Sequence, residues 1–248
     1  MQTSVRNNSK TEVCIPEIQR IFMLSITTTS AWEQAHPGAQ MGLLEILDVD
    51  NSEPAPELDQ EKRNVEARLR EKYAGYSRDD FLALPVMGAY HRYYRKFGYT
   101  YHVLLQLESV VLKGKSLPNV SPLVDANFAA ELETLILTAG HDVAQLEGPV
   151  LIDVAREGDQ ITQMNGNQKD VPVGDMLMRD ANGVACTILR GQDNRSPISR
   201  STTHVLYVSY VPAGVTGEQV RAQLAAMENY VRLFAPDCVV EQSEILFT

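Results

Sequence analysis

Cysteine is scarce: 248 residues contain three, Cys14, Cys186 and Cys238. They are odd in number and far apart, and they form neither a metal-ligand spacing nor a disulfide framework, as fits a reducing cytosol. Tryptophan occurs once, at Trp32, and is read as a packing anchor rather than a cofactor platform. No apolar run is long enough to span a bilayer and no basic-then-apolar leader opens the chain, so the expectation is a cytoplasmic protein with no membrane partner. Positive charge is in deficit, with 22 Lys and Arg against 32 Asp and Glu and a net charge of −10. That argues against broad electrostatic binding of nucleic acid, and DNA is not expected as a partner. Any nucleic-acid site must be a local basic patch. No Gly-x-Ser-x-Gly elbow is present, and no Walker loop or dinucleotide fingerprint follows a strand. No His, Cys, Asp and Glu set has zinc spacing. Neither a metal nor another cofactor is therefore expected. No repeat of fixed period appears.

What is present is an ordinary globular composition, 44% apolar and 22% charged, with a length that suits one large or two small domains. Residues 1–14 are polar and aperiodic and read as a loose tail. Residues 15–248 are read as one domain, with 15 to about 85 as a helical extension wrapped on the same core, because no long flexible linker intervenes. Arg20–Thr28 is β-branched and apolar, a strand pattern. Ser30–Leu47 is read as a helix broken at Pro37-Gly38. After the turn NSEPAP, Leu58–Tyr73 is amphipathic and dense in alternating charge, a solvated helix face, and Ser77–Asp80 offers a further helix start.

Tyr90–Tyr101, YHRYYRKFGYTY, mixes bases with aromatics. Arg92, Arg95 and Lys96, joined by Lys113 and Lys115 in the turn after a helix over Val103–Leu112, make the best candidate for a positive patch, with tyrosines available to stack on bases. The ordinary alternative is a helix end, with cations near the C-terminal dipole and tyrosines packed inside.

The chain is organised around residues 117–148. Pro118 and Pro122 delay a helix. Val124, Phe128, Leu132 and Leu135 then give it an apolar face through Thr138, and Gly140 is expected to end it. That places His141 and Asp142 on the following turn, where side chains can be presented on a rigid frame. Asp125 and Asn127 stand beside the free N–H groups of the first turn, which suit a carboxylate or phosphate. The same residues also read as helix caps and a satisfied loop histidine. Beyond this stretch come short alternating strands: Val150–Ala155, Gln160–Met164 before the turn Asn165-Gly166-Asn167, a hairpin of Asp175–Arg179 with Val184–Leu189, and Thr202–Tyr210. Thr216 and Gln219 form a capping box for a last helix that should cover a sheet, and the final EQSEILFT suits an edge strand.

The pieces RKFG (95–98), VLKGKSLPNVSPLVDANF (111–128), GHDVAQLEG (140–148), AREGD (155–159) and RDANGVACTILRGQD (179–193) resemble, in order and spacing, the B3/B4 module of the phenylalanyl-tRNA synthetase β chain. More closely, they are similar to freestanding B3/B4-domain proteins. The resemblance implies an α+β (mixed α/β) fold with a central, mostly antiparallel sheet and helices packed on it. It implies an editing deacylase that removes a wrong amino acid from tRNA, with the aminoacylated 3′ end and the amino acid moiety as partners. By match, Asn127 falls on the asparagine of a threonine-asparagine pair whose first member is here Ala126, and His141 falls on a pocket histidine. The discriminating glutamate of the synthetase has no counterpart on Thr202–Tyr210. On this reading Asn127 and His141 carry the hydrolysis. His141 orients a water or acts as base, and Asp142 holds its tautomer. Asp125, with Ala126, borders the substrate, and the helix amino end beside it stabilises the oxyanion. Arg190, Asp193 and Arg195, on the polar loop 190–200, bind the terminal nucleotide or form a surface ion-pair loop. The competing expectations are a binding module that keeps the fold without the chemistry, and a partner-binding scaffold built on the charged N-terminal helices.

Overall fold

The computed structural model describes residues 24–248. The tail over 1–14 and the start of the strand expected from Arg20 lie outside the described residues. Within them the chain opens with β1 (Ile26–Thr28), α1 (Ser30–Ala35) and β2 (Gln40–Leu47). Helices α2 (Pro56–Lys72), α3 (Arg78–Ala83), α4 (Pro85–Lys96) and α5 (His102–Val111) follow, then α6 (Pro122–Thr134) and β3 (Thr138–Asp142). Strands β4 (Val150–Val154), β5 (Gln160–Thr162), β6 (Gln168–Asp170), β7 (Met176–Asp180), β8 (Gly183–Thr187), β9 (Gly191–Gln192) and β10 (Val205–Val211) come next. Helix α7 (Gly217–Arg232) and strand β11 (Val239–Phe247) close the chain.

The fold is α+β. One antiparallel sheet runs β11-β2-β10-β3, and a second runs β1-β4-β7-β8-β9, antiparallel apart from the β1–β4 pair. The chain thus builds two main sheets where one central sheet is expected. The hairpin β5–β6 turns at Asn165-Gly166-Asn167. The expected capping box is in place at Thr216 with Gln219, and the helix start expected at Ser77 proves to be a second capping box, closed by Asp80.

The helix expected over Ser30–Leu47 is half wrong. After Pro37-Gly38 the residues QMGLLEIL form β2, and all eight are buried. A helix would bury one stripe of that run, whereas an interior strand needs cover on both faces. β2 is flanked by β10 and β11, and α7 packs so closely on it that a Cβ at Gly42 would meet Val220 Cγ1 at 2.8 Å.

The tyrosines of α4 do not await bases. Tyr90 stacks on Tyr101 at 4.2 Å in the core, and its hydroxyl donates to Tyr210 O (2.6 Å) and accepts from Leu137 N (3.0 Å). Tyr94 donates to Ile188 O and Tyr93 to the Asp175 carboxyl. These bonds tie α4 to both sheets while satisfying hydroxyls that burial would otherwise penalise. Among the described residues no helix is long and apolar enough to cross a membrane.

Candidate functional site

Helix α6 stops at Thr134, with Leu135 in the left-handed region at φ 65° as its cap. Gly140 does not end it; the chain has already become β3, and His141 and Asp142 lie on a strand rather than a turn. β3 is the last strand of its sheet, paired with β10 on one side and met on the other by an isolated bridge between His141 and Pro197. That outer edge is dressed by three side chains and one backbone carbonyl. Asn127 Nδ2 donates to Thr138 O (2.9 Å), Thr138 N donates to Glu131 Oε2 (3.0 Å), Gln192 Nε2 donates to Gly140 O (2.7 Å), and Asp142 N donates to Ser196 O (3.0 Å). In antiparallel pairing alternate residues turn both N–H and C=O the same way, so the Gly140 N–H also faces this outer edge. Asn127 and Glu131 are four apart, which puts both on one face of α6.

A cleft of ≈ 460 Å³ lies along that edge, between α5, α6, β8–β9 and the Pro197-Ile198 segment. Its walls are largely apolar, with Val124, Phe128, Ile188 and Ile198, but Gln106, Asn127, Glu131, Gly140 and Gln192 also border it. Two polar atoms there are buried with no hydrogen-bond partner among the described residues: Gln106 Oε1 and Asn127 Oδ1. Because the Asn127 amino group is committed to a carbonyl, Oδ1 is assigned as the free acceptor. Such groups cost free energy unless something pairs with them. Burial pushes the Glu131 carboxyl up to about 8, against the opposing pull of the Thr138 N–H. Burial also pushes the Cys186 thiol up to about 12, leaving it a poor nucleophile.

His141 does not border the cleft. It is 0% exposed, with Nδ1 2.8 Å from Ser196 Oγ and 3.2 Å from Gln192 Nε2. Ser196 gives its own proton to Asp193, so its oxygen is the acceptor for an Nδ1–H. Burial lowers the pKa of this imidazole to about 3, Asp180 opposing and Arg195 assisting. The expected pairing of Asn127 with His141 over one cleft is therefore not what the chain builds, because residues 192–197 close over the ring. Asp142 accepts from Thr202 Oγ1 (2.8 Å) and Ala144 N, and serves the local turn rather than a histidine tautomer.

The other expected site residues are also placed elsewhere. Asp125 is buried against Lys62 at 2.7 Å and accepts from Val120 N, joining α2 to α6. Ala126 is wholly in the core. The first turn of α6 is not open to an anion, since Asn51 Oδ1 takes the Leu123 N–H. Arg195 forms an ion-pair assembly with Asp180 and Asp193, while Arg190 donates to the backbone Asp170 O beside the Tyr99 ring. Arg92, Arg95, Lys96, Lys113 and Lys115 are all exposed, but none lines the cleft. Arg92 and Lys96 border a different concavity, against Pro212 and Ala213. Lys115 borders a groove of ≈ 440 Å³ that shares His102, Gln106 and Phe128 with the cleft. Of the expected residues only Asn127 faces the cleft. Glu131 was within reach of sequence reasoning as the residue one turn from Asn127, and Gln192 sits in the RGQD piece already singled out. Gln106 and Tyr210 carry no sequence signal. Among the described residues no group of His, Cys, Asp and Glu is placed to hold a metal ion.

A family model described as the B3/4 domain matches residues 89–241. No curated protein matches the sequence. Among solved structures, the chain is similar to a crystal structure of an N-terminal fragment of the phenylalanyl-tRNA synthetase beta-subunit from Pyrococcus horikoshii, at 9% identity with a TM-score of 0.42. The match covers 90% of this chain and 50% of that fragment, so the chain spans half the fragment's length.

Proposed function

Because the chain belongs to the B3/4 domain family, we propose that its cleft receives the aminoacyl group at the 3′ end of tRNA and releases it by ester hydrolysis, as an editing deacylase acting in trans. The carrying observation is the pair of unpartnered acceptors in an apolar cleft beside an outer strand edge. Asn127 Oδ1 and Gln106 Oε1 suit the donors of an α-ammonium group, and the Gly140 N–H suits the ester carbonyl and the oxyanion that grows on it. The apolar walls suit a side chain and exclude bulk water. An activated ester with a held water needs little beyond proximity and orientation. The water's proton passes to the Glu131 carboxylate, one turn from Asn127 on the same wall, and its raised pKa suits proton transfer near neutral pH. His141 acts only as a positioning residue, holding the 192–197 wall.

Release of amino acid from a panel of mischarged tRNAs tests the reading. The expected rate rises with pH through about 8 and loses that rise in Glu131→Gln, and Asn127→Ala is slowed with its fold intact. No release above buffer from any member of the panel would end the hydrolase reading. The exclusion of His141 from the cleft favours a second reading, a module that binds the aminoacyl end without cleaving it. In that case the wild type retains mischarged tRNA, Asn127→Ala weakens retention, and no product forms.

A further inference from the structure

A second concavity, of ≈ 240 Å³, opens where α4 meets the turn between α1 and β2 and the Pro212-Ala213 segment. Arg92 and Lys96, four apart on α4, border it together with His36. Apart from Tyr93, the rest of its lining is small or apolar, Ala35, Ala89, Met176 and Pro212 among them, and no carboxylate borders it. Neither Arg92 nor Lys96 has an ion-pair partner among the described residues, whereas Arg68, Arg179 and Arg195 each hold two carboxylates. Arg92 also lies against a glycine: a Cβ at Gly214 would fall 2.9 Å from its Nη2. Two cations thus border a hollow that no carboxylate lines, on a chain of net charge −10. Their positive potential there is undiluted by neighbouring carboxylates.

We infer that this concavity is a phosphate-binding site, with Arg92 and Lys96 as the cationic ligands and the His36 imidazole as the third wall. The ligand class is a phosphate monoester or diester, whose oxygens match a guanidinium and an ammonium. The site shares no lining residue with the cleft, and the inference does not rest on the chemistry proposed there. The groups around His36 make it a reporter. Burial and Lys96 hold its pKa below the usual value, and the Gly174 carbonyl works the other way. The Tyr93 ring lies 5.9 Å from it, and Tyr93 donates to Asp175, whose carboxyl burial pushes up to about 7.

The experiment follows the His36 imidazole by NMR while inorganic phosphate, adenosine monophosphate or a short single-stranded RNA is added to the full chain. A bound anion favours the imidazolium, so the His36 pKa should rise saturably. The Arg92→Gln/Lys96→Gln double variant should melt as the wild type does and bind about tenfold more weakly, as for the loss of a charge-assisted bond. A response to RNA alone makes a strand backbone the source, and a response to inorganic phosphate makes it a free anion; both support the site. No saturable shift with any of the three, or equal binding by the double variant, overturns it. Deacylation is not read, so failure here leaves the cleft's reading untouched.

Discussion

Two buried side chains push stability in opposite directions with pH. In the folded chain His141 stays neutral down to about 3, whereas its ordinary value is 6.5. Between those limits the unfolded chain binds the extra proton, so this contribution is lost as pH falls from 6.5 towards 3. Glu131 behaves inversely. Its ordinary value is 4.5 and its folded value about 8, so the folded chain holds the extra proton and stability is lost as pH rises through that window. Asp175 adds a loss of the same sign between 3.8 and about 7. Urea melts across pH are expected to show Glu131→Gln gaining on the wild type from pH 5 to pH 8, since the amide oxygen can still accept from Thr138 N and carries no titration. His141→Gln is expected to lose the acid-side fall instead. Parallel curves for variant and wild type would show that burial does not set these values. At this scale the sequence singled out Asn127 and no other cleft residue. A side chain's titration depends on what surrounds it, and His141 looks no different in sequence whether exposed or sealed by residues 192–197.

Helix α2 is bolted to α6 through Lys62, 0% exposed, and Asp125. Lys62 Nζ also donates to Pro118 O and Asn119 Oδ1, so the ammonium is fully satisfied only in this packing. Asp125→Ala leaves the buried Lys62 only the longer, half-exposed pair with Asp59 at 3.3 Å and is expected to cost about 3 kcal/mol, whereas a Lys62→Met/Asp125→Leu pair should recover most of it, because removing both buried charges spares the desolvation. Chemical denaturation of the three proteins checks this; equal losses in single and double variants would assign the cost to packing instead. On β3, a Cβ at Gly140 would sit 2.5 Å from Ile198 Cδ1 and 3.0 Å from Tyr207 Cε1. Gly140→Ala should therefore destabilise by roughly 1–3 kcal/mol as the cleft wall at Ile198 shifts, and its binding of a mischarged tRNA should weaken more than that of an Asp142→Asn control. Helices α2, α5 and α7, the hairpin strands, the helix start at Ser77 and the capping box at Thr216 were legible because each rests on local periodicity or local hydrogen bonds. β2 was not, because an apolar run without alternation fits a buried helix as well as an interior strand. The missed end of α6 had a local cause too: a leucine, Leu135, took the left-handed position usually left to glycine.

For the whole molecule, one hydrophobic cluster runs from Trp32 and β2 through α2, α4 and α5 to α6, β10 and α7. We therefore expect residues before 85 and after it to melt in one transition, by calorimetry and by tyrosine fluorescence alike. Two transitions would make the helical extension a separate unit. The hairpin β5–β6 stands on a small separate cluster with Ile161 and Val171, and β6 is wholly exposed. Its amides should exchange with deuterium well before those of β2 and β10. Composition alone settled the acidic balance, and the ordered motif series pointed to the B3/4 family, since charge and short motifs are written residue by residue. Tertiary structure alone decided which face of α6 meets which strand edge. It brought Gln106, Tyr210 and Gln192 to Asn127, and turned His141 inward, because contacts between distant residues depend on how sheets and helices stack, which no local pattern encodes.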